Sequence, residues 1–283
     1  MYVYNGKKPT SPQDLFVYWV GERENIRMLK EADHEGPWSE DPIMLNTYFC
    51  NVHREDDKVT KWIRETWEEN INPLMEADTR GHDLQKLVVA NMCMARLVNN
   101  IKSLEELEWP WVRWRSDIWN DVGNRMKPFW GSAYIVTTHG LKIGKLEYGE
   151  GVLKAIFATP LPTTPPNLAA YHYALQQLEG FGSFMAAQVV ADLKNTNGHP
   201  LEKAEDWWTW SAHGPGSLKG LSAFCGRKIT PSTYQAALTY AWSVVERRVP
   251  EMHAQDLQNC FCEYGKYMRI NNHEGNTKRR YRR

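Results

Sequence analysis

Four polar residues close together carry the first chemical signal in this sequence. Asn51, Arg54, Asp57 and Lys58 lie in the run Tyr48-Phe49-Cys50-Asn51-Val52-His53-Arg54-Glu55-Asp56-Asp57-Lys58-Val59-Thr60. They stand at i, i+3, i+6 and i+7, so a helix would bring them to one face. An amide, a guanidinium, a carboxylate and an ammonium gathered there can bind an anion and move a proton. The same four, flanked by apolar Phe49, Val52 and Val59, equally make a solvated face with an Arg54–Asp57 ion pair.

A second signal is Leu178-Glu179-Gly180-Phe181-Gly182-Ser183-Phe184-Met185-Ala186, which has the form of a helix-hairpin-helix. Two glycines permit a tight turn whose N–H groups face outward, and the next helix adds its positive end. Gly180, Gly182 and Ser183 are therefore candidates to hold a DNA phosphate without a basic side chain. An ordinary helix connection is the competing reading. Base-excision enzymes that this hairpin resembles attack the sugar with a lysine just after the second glycine, or use an aspartate further along. Phe184 stands at the lysine position, and Asp206 falls a little beyond the aspartate position. The lyase reaction is thus disfavoured and an aspartate-assisted one stays open. Gly214-Pro215-Gly216-Ser217 opens another helix and reads either as an anion-binding nest or as a plain loop. His213 beside it is a further candidate base or a surface histidine.

These groups must be positioned by helices. Leu15, Tyr18, Trp19 and Glu22 open a first helix, and Leu84, Leu87, Val88, Met94, Ala95 and Val98 stripe another. Ser103 with Glu106 forms a capping-box pattern ahead of a Trp-rich run, Trp109 to Trp119, which reads as core more readily than as a base-stacking platform. Thr230-Pro231 marks the start of a helix to about Arg247 that Pro250 ends. A last amphipathic helix carries Leu257, Phe261, Tyr264 and Met268. On its other side Asp256, Asn259, Glu263 and Lys266 share a polar stripe that lines a pocket or faces water. β-Branched and aromatic residues with a Gly149-Glu150-Gly151 turn predict a short β hairpin near 133–157. The Pro-rich connector Pro160 to Pro166 suggests an N-terminal helical lobe over 1–160 and a C-terminal helix-hairpin-helix lobe over 161–283, unless the two interleave as one domain.

Composition narrows the class. At 283 residues, 42% hydrophobic and 12% aromatic, the chain can bury a sizeable core. A formal net charge of +0 argues against a general coat of positive charge, so nucleic-acid contact must come from local patches; Lys278 to Arg283 reads either as one such patch or as a solvated tail. Five cysteines without metal-ligand spacing fit a reducing cytoplasm and no zinc site. The first residues lack a signal-peptide core, and no stretch reaches the roughly 18 apolar residues of a membrane span.

The run Phe-x-Asn-Val-x-Arg-x-x-Asp-x-Val-Thr from Phe49 to Thr60 begins a wider resemblance. It continues with Glu22 to Arg27, Gly131 to Ile135, Gly180-Phe181-Gly182, Gly214 to Leu221 and Asp256 to Tyr267. Together these resemble the α-glutamyl/putrescinyl thymine pyrophosphorylase family, also found as the helical domain of 5-hydroxymethyluracil DNA kinases, over roughly Phe16 to Tyr281. The resemblance implies a mainly α, helix-hairpin-helix DNA-glycosylase-like fold, here with the small β appendage. It also implies a step in phage DNA hypermodification in the host cytoplasm: an amine displaces pyrophosphate from the exocyclic methylene of a modified thymine. The partners would be DNA carrying that base, an amino acid or polyamine donor, and a separate 5-hydroxymethyluracil DNA kinase. This chain lacks the G-x-x-x-x-G-K-[ST] loop of a kinase. Arg23, Arg54, Lys58 and Lys219, with Gly216 and Ser217, are then expected to stabilise pyrophosphate, with or without Mg2+. Asp57, then Asp206, would deprotonate the amine, and Asn51 would read the uracil edge. A non-catalytic modified-DNA-binding module and a monofunctional glycosylase acting through Asp206 are the alternatives.

Overall fold

The computed structural model describes residues 8–77, 84–132, 136–159, 167–197, 199–249 and 251–274, with side chains left aside at 72–77. Among them the chain is helical, with no strand. In order come α1 (Pro12–Glu31), α2 (Pro42–Asn46), α3 (Lys58–Ala77), α4 (Leu84–Val98), α5 (Ile101–Glu106) and α6 (Ser116–Arg125). There follow α7 (Lys145–Ala158), α8 (Leu168–Leu175), α9 (Ser183–Leu193), α10 (Pro215–Cys225), α11 (Tyr234–Val245) and α12 (Ala254–Asn271). Two compact units form, Met1–Asp57 with Trp208–Arg283 and, between them in sequence, Lys58–Trp207. That division differs from a single cut near 160, because the first unit is built from both ends of the chain. No helix among the described residues is long and apolar enough to cross a membrane.

In the first unit α1 is capped by Ser11, whose hydroxyl accepts from Asp14 N, and Pro12 presets its first turn. Its Phe16 to Val20 are all buried, so this half of α1 runs through the core. Phe16 stacks on Phe261 at 4.4 Å and meets Tyr264 and Phe224 edge-on at 5.1 and 5.5 Å. α10 and α12 cross so closely that a Cβ at Gly220 would lie 1.8 Å from the Phe261 carbonyl oxygen, and one at Gly216 would lie 2.4 Å from Cys262 Sγ. Thr230 caps a 3-10 turn, Pro231–Thr233, that leads into α11.

The second unit is organised by α4, buried along most of its length. Its Asn91 donates to Trp111 O at 2.8 Å and accepts from Trp111 N at 2.7 Å, pinning the Trp-rich run by its backbone. Trp109, Trp111 and Trp119 are buried, as a core reading of that run requires. Arg96 and Asp192 form a buried ion pair between α4 and α9, and Arg96 also donates to Thr60 at 2.9 Å.

Three sequence expectations are corrected here. The β hairpin near 133–157 does not form, since α7 covers Lys145–Ala158; residues 133–135 lie outside the described ones. Tyr148, Gly149, Val152, Leu153 and Ile156 are its buried side, a helical spacing. Gly149 serves packing rather than a turn, because a Cβ there would sit 2.9 Å from the Trp130 ring. The capping box at Ser103 is absent too: Asn100 occupies the N-cap of α5, and Ser103 Oγ donates to Phe129 O at 2.8 Å. The helical face at 51–58 is likewise unformed, because only Arg54–Asp56 turns, as a 3-10 segment, before α3 starts at Lys58. The Pro-rich connector at 160–166 and the basic run at 278–283 lie outside the described residues.

The α10–α12 crossing gives a direct test. Gly220→Ala forces a methyl onto a backbone carbonyl and is expected to destabilise by about 1–3 kcal/mol or more. Gly182→Ala, with nothing within 4 Å of the added Cβ, should cost no more than the roughly 1 kcal/mol or less that separates alanine from glycine at an N-cap. Equal denaturation midpoints for the two variants would contradict the crossing.

Candidate functional site

The polar stripe of α12 faces neither a pocket nor water alone. It binds the backbone of the segment after α2. Lys266 Nζ donates to Tyr48 O at 2.8 Å, and Glu263 accepts from Cys50 N at 3.2 Å. Asn259 donates to Asn51 O at 3.2 Å, the Cys260 thiol lies 3.5 Å from Val52 O, and Asp256 accepts from Arg54 N at 2.8 Å. Residue numbers fall along α12 as they rise along the segment, so the two run antiparallel. From the other side Arg23 on α1 donates to Phe49 O at 3.0 Å and to Cys50 O at 3.2 Å. A stretch with no helix or strand thereby has five successive carbonyls, and the N–H groups of Cys50 and Arg54, bonded by side chains. This arrangement explains why residues 51–53 do not become helical.

Asp256 is the busiest of these groups. It sits at the third position of α12 and is capped reciprocally with His253: Asp256 N donates to His253 Nδ1 at 3.2 Å, while His253 N lies 3.4 Å from Asp256 Oδ2. The same carboxylate meets His53 Nδ1 at 3.3 Å. Its hydrogen bond holds the His53 imidazolium above the ordinary histidine range, against the opposing effect of burial, and Glu24 and Asp56 add to it. Glu55, His253 and Asp256 also bring one ligand atom each within 4.8 Å of one another, close enough to consider a metal ion. Yet His253 Nδ1 accepts a backbone hydrogen, which puts the ring proton on Nε2, and Nε2 lies 3.2 Å from Glu55 Oε1 as a donor. The trio reads as a closed cap.

Against the segment's α1 side lies a cavity of about 200 Å³, lined by Arg23, Ile26, Arg27, Lys30, Glu31, Tyr48, Phe49 and Asn51. Arg23 is 3% exposed, and its Nη1 is buried with no hydrogen-bond partner among the described residues. Arg27 pairs with Glu24 and Glu31 and lies 3.4 Å from Asp56. Asn51 donates to Asp56 O at 2.9 Å, which orients its amide. Cys50 is a poor nucleophile, since burial, then Glu263, pushes its thiol up to about 12.

The other sequence candidates are dispersed. Arg54 is half-buried, whereas Asp57, Lys58 and Lys219 are exposed. Gly216 packs on Cys262, and the buried Ser217 accepts from Gly214 N at 2.9 Å as part of the α10 cap. His213 is exposed and meets the Tyr234 ring edge-on at 5.6 Å. In the second unit, both Asp206 oxygens accept backbone hydrogens at the start of α8, from Leu168 N at 2.7 Å and Ala169 N at 3.0 Å.

Gly180, Gly182 and Ser183 join α8 to α9 in that unit. Gly180 has φ +79°, a conformation that glycine supplies readily. Gly182 is the N-cap of α9 and offers no side chain to its first amides. His172 braces the turn through Nε2 at 2.9 Å from Ser183 O. The turn borders a cavity of about 280 Å³ that Tyr148, His139, Phe184 and Met185 also line, and Phe184 is 57% exposed at it.

Sequence reasoning missed His53, Arg27 and Lys30. The α12 stripe at i, i+3, i+7 and i+10 was the available signal for His53, but its partner segment lies some 200 positions earlier, which spacing cannot reveal.

The pH dependence of stability follows from the His53 shift. Because the folded value is raised, its pairing stabilises fully below the unfolded value of 6.5 and is lost as pH rises through the folded value. The denaturation midpoint should therefore fall over that interval, and Asp256→Asn should flatten the fall; an unchanged slope in the variant would contradict the pair.

A family model described as 5-hmdU DNA kinase, helical domain, matches residues 10–277. No curated protein and no solved structure matches the chain significantly.

Proposed function

Since the chain belongs to the family of the 5-hmdU DNA kinase helical domain, we propose that it is a hypermodification enzyme of phage DNA, displacing pyrophosphate from 5-pyrophosphoryloxymethyluracil with an amine. The observation that carries this reading is the match over 10–277 in a sequence with no phosphate-binding kinase loop. The residues of this sequence then do not carry out the kinase step themselves, and they act on what the kinase activity makes.

In this reading the pyrimidine ring electrons expel pyrophosphate, the exocyclic C–O bond breaks, and the amine nitrogen forms the new C–N bond. Pyrophosphate leaves with the electron pair and needs positive charge. Arg23, with its unshared buried Nη1, and the neighbouring Arg27 and Lys30 provide that charge around one cavity. Asn51 lines the same cavity with its amide donor already engaged, which leaves its carbonyl to accept from a uracil N–H. Arg54, Asp57, Lys58 and Lys219 remain candidates for the wider phosphate path. A divalent ion such as Mg2+, carried in on the pyrophosphate, is compatible with this chemistry.

DNA is held by a helix-hairpin-helix, with Gly180, Gly182 and Ser183 presenting amides to a phosphate and the exposed Phe184 able to stack on a displaced base. A glycosylase-like ancestry fits the α8–turn–α9 arrangement. The glycosylase reaction itself has weaker support, because both Asp206 oxygens are engaged in capping α8.

The test is intact-nucleoside mass spectrometry of DNA carrying pyrophosphorylated 5-hydroxymethyluracil, incubated with the protein and a mixture of amino acids and polyamines. The expected product is a nucleoside with an amine in place of pyrophosphate. An unchanged base would contradict the transferase and leave a binding module, and abasic sites would reveal a glycosylase.

A further inference from the structure

We propose that His53, positioned by Asp256, is the base that takes the proton shed by the incoming amine. The inference rests on the amine-transfer reading and adds to it a residue and an orientation.

Asp256 is wholly buried and can only accept hydrogen bonds when ionised. Its Oδ1 takes Arg54 N at 2.8 Å, and Oδ2 faces His53 Nδ1 at 3.3 Å. His53 therefore carries its proton on Nδ1 and keeps the Nε2 lone pair free. Nε2 has no hydrogen-bond partner among the described residues, and the side chain is 27% exposed, so an outside molecule can reach it. A buried carboxylate fixing the tautomer of a reachable imidazole is the arrangement that general-base catalysis requires.

Facing His53 are Asp256 from α12, Glu24 from α1 and Asp56 from the 3-10 turn, all of which favour an imidazolium once the proton arrives. Arg27 binds Glu24 and lies 3.4 Å from Asp56, on the side of the cavity where Arg23 and Lys30 also stand. Asn51, two residues before His53, lines that cavity. Arg23, Arg27 and Lys30 offer an anionic leaving group positive charge at the cavity, and the carboxylates of Glu24, Asp56 and Asp256 favour a proton on His53. As the amine lone pair forms the C–N bond and pyrophosphate departs with the C–O electrons, the proton released by nitrogen moves to His53 Nε2 and then to water.

The experiment follows amine transfer against pH, with free amine held constant, for the wild type, His53→Gln and Asp256→Asn. Asp256→Asn keeps an oxygen for Arg54 N but turns an amide N–H toward His53 Nδ1, which moves the ring proton to Nε2 and removes the base. Both variants are expected to lose at least about 100-fold in rate and the rise with pH seen in the wild type. In parallel, the wild-type His53 imidazole is titrated by NMR and should titrate above an ordinary histidine. Wild-type transfer with an unaltered rate and pH profile in folded His53→Gln overturns the proposal and leaves the transferase standing. A His53 that titrates at or below the ordinary value overturns it even if the variants do not fold. Absence of any aminated nucleoside with the wild type overturns the transferase, and the base with it.

Discussion

The carbonyls of residues 48–52 and the N–H groups of Cys50 and Arg54 are bonded by side chains, and the rest of the first unit is arranged to make that possible. A buried N–H or C=O without a partner costs about 1–3 kcal/mol, so an irregular segment inside a fold needs an external source of hydrogen bonds. Here α12 supplies them from four successive turns, and Arg23 supplies three more from α1, to the carbonyls of Phe49 and Cys50. Those side chains work only if α12 is held in one register. The close crossing at Gly220, the Phe16–Phe261 stack and the reciprocal cap between His253 and Asp256 fix that register from three directions.

This constraint places chemistry where a helix would not have done so. Had residues 51–58 been helical, their backbone would have satisfied itself and the α12 carboxylates would have been free to face water. Extended instead, the segment presents Asn51 and Tyr48 to the cavity beside α1 and brings His53 against Asp256. The polar groups that fix the backbone are also those that set the local charge. Arg23 serves both roles, because two of its nitrogens bind carbonyls while the third stays unshared. The hairpin of the second unit is simpler: glycine at φ +79° and an uncapped helix start leave amides available by default.

Much of this was legible from residue spacing, and what was not has a physical cause. α1, α4 and α12 show their period because each buries one stripe or most of its surface. The Gly180–Gly182 turn was visible because glycine marks a required backbone angle. Gly149 and Gly151 resemble those turn glycines in sequence, yet Gly149 is a packing residue whose reason is the Trp130 ring, an indole brought there by folding. Asn51, Arg54, Asp57 and Lys58 had helical spacing but lost to tertiary hydrogen bonds that spacing does not encode. The α12 stripe was seen, and its role was not, because a polar face looks the same whether water or a distant backbone lies opposite. Asp206 and Ser217 looked available for chemistry for the same reason: a cap is recognisable only once the helix start it binds is known.

The most direct measurement is amide hydrogen exchange at Cys50 and Arg54, two residues outside any α-helix whose N–H groups donate to the carboxylates of Glu263 and Asp256. The account predicts protection comparable to that of the α12 interior, lost at Arg54 in Asp256→Ala and at Cys50 in Glu263→Ala. Exchange at the rate of an exposed loop in the wild type would contradict it.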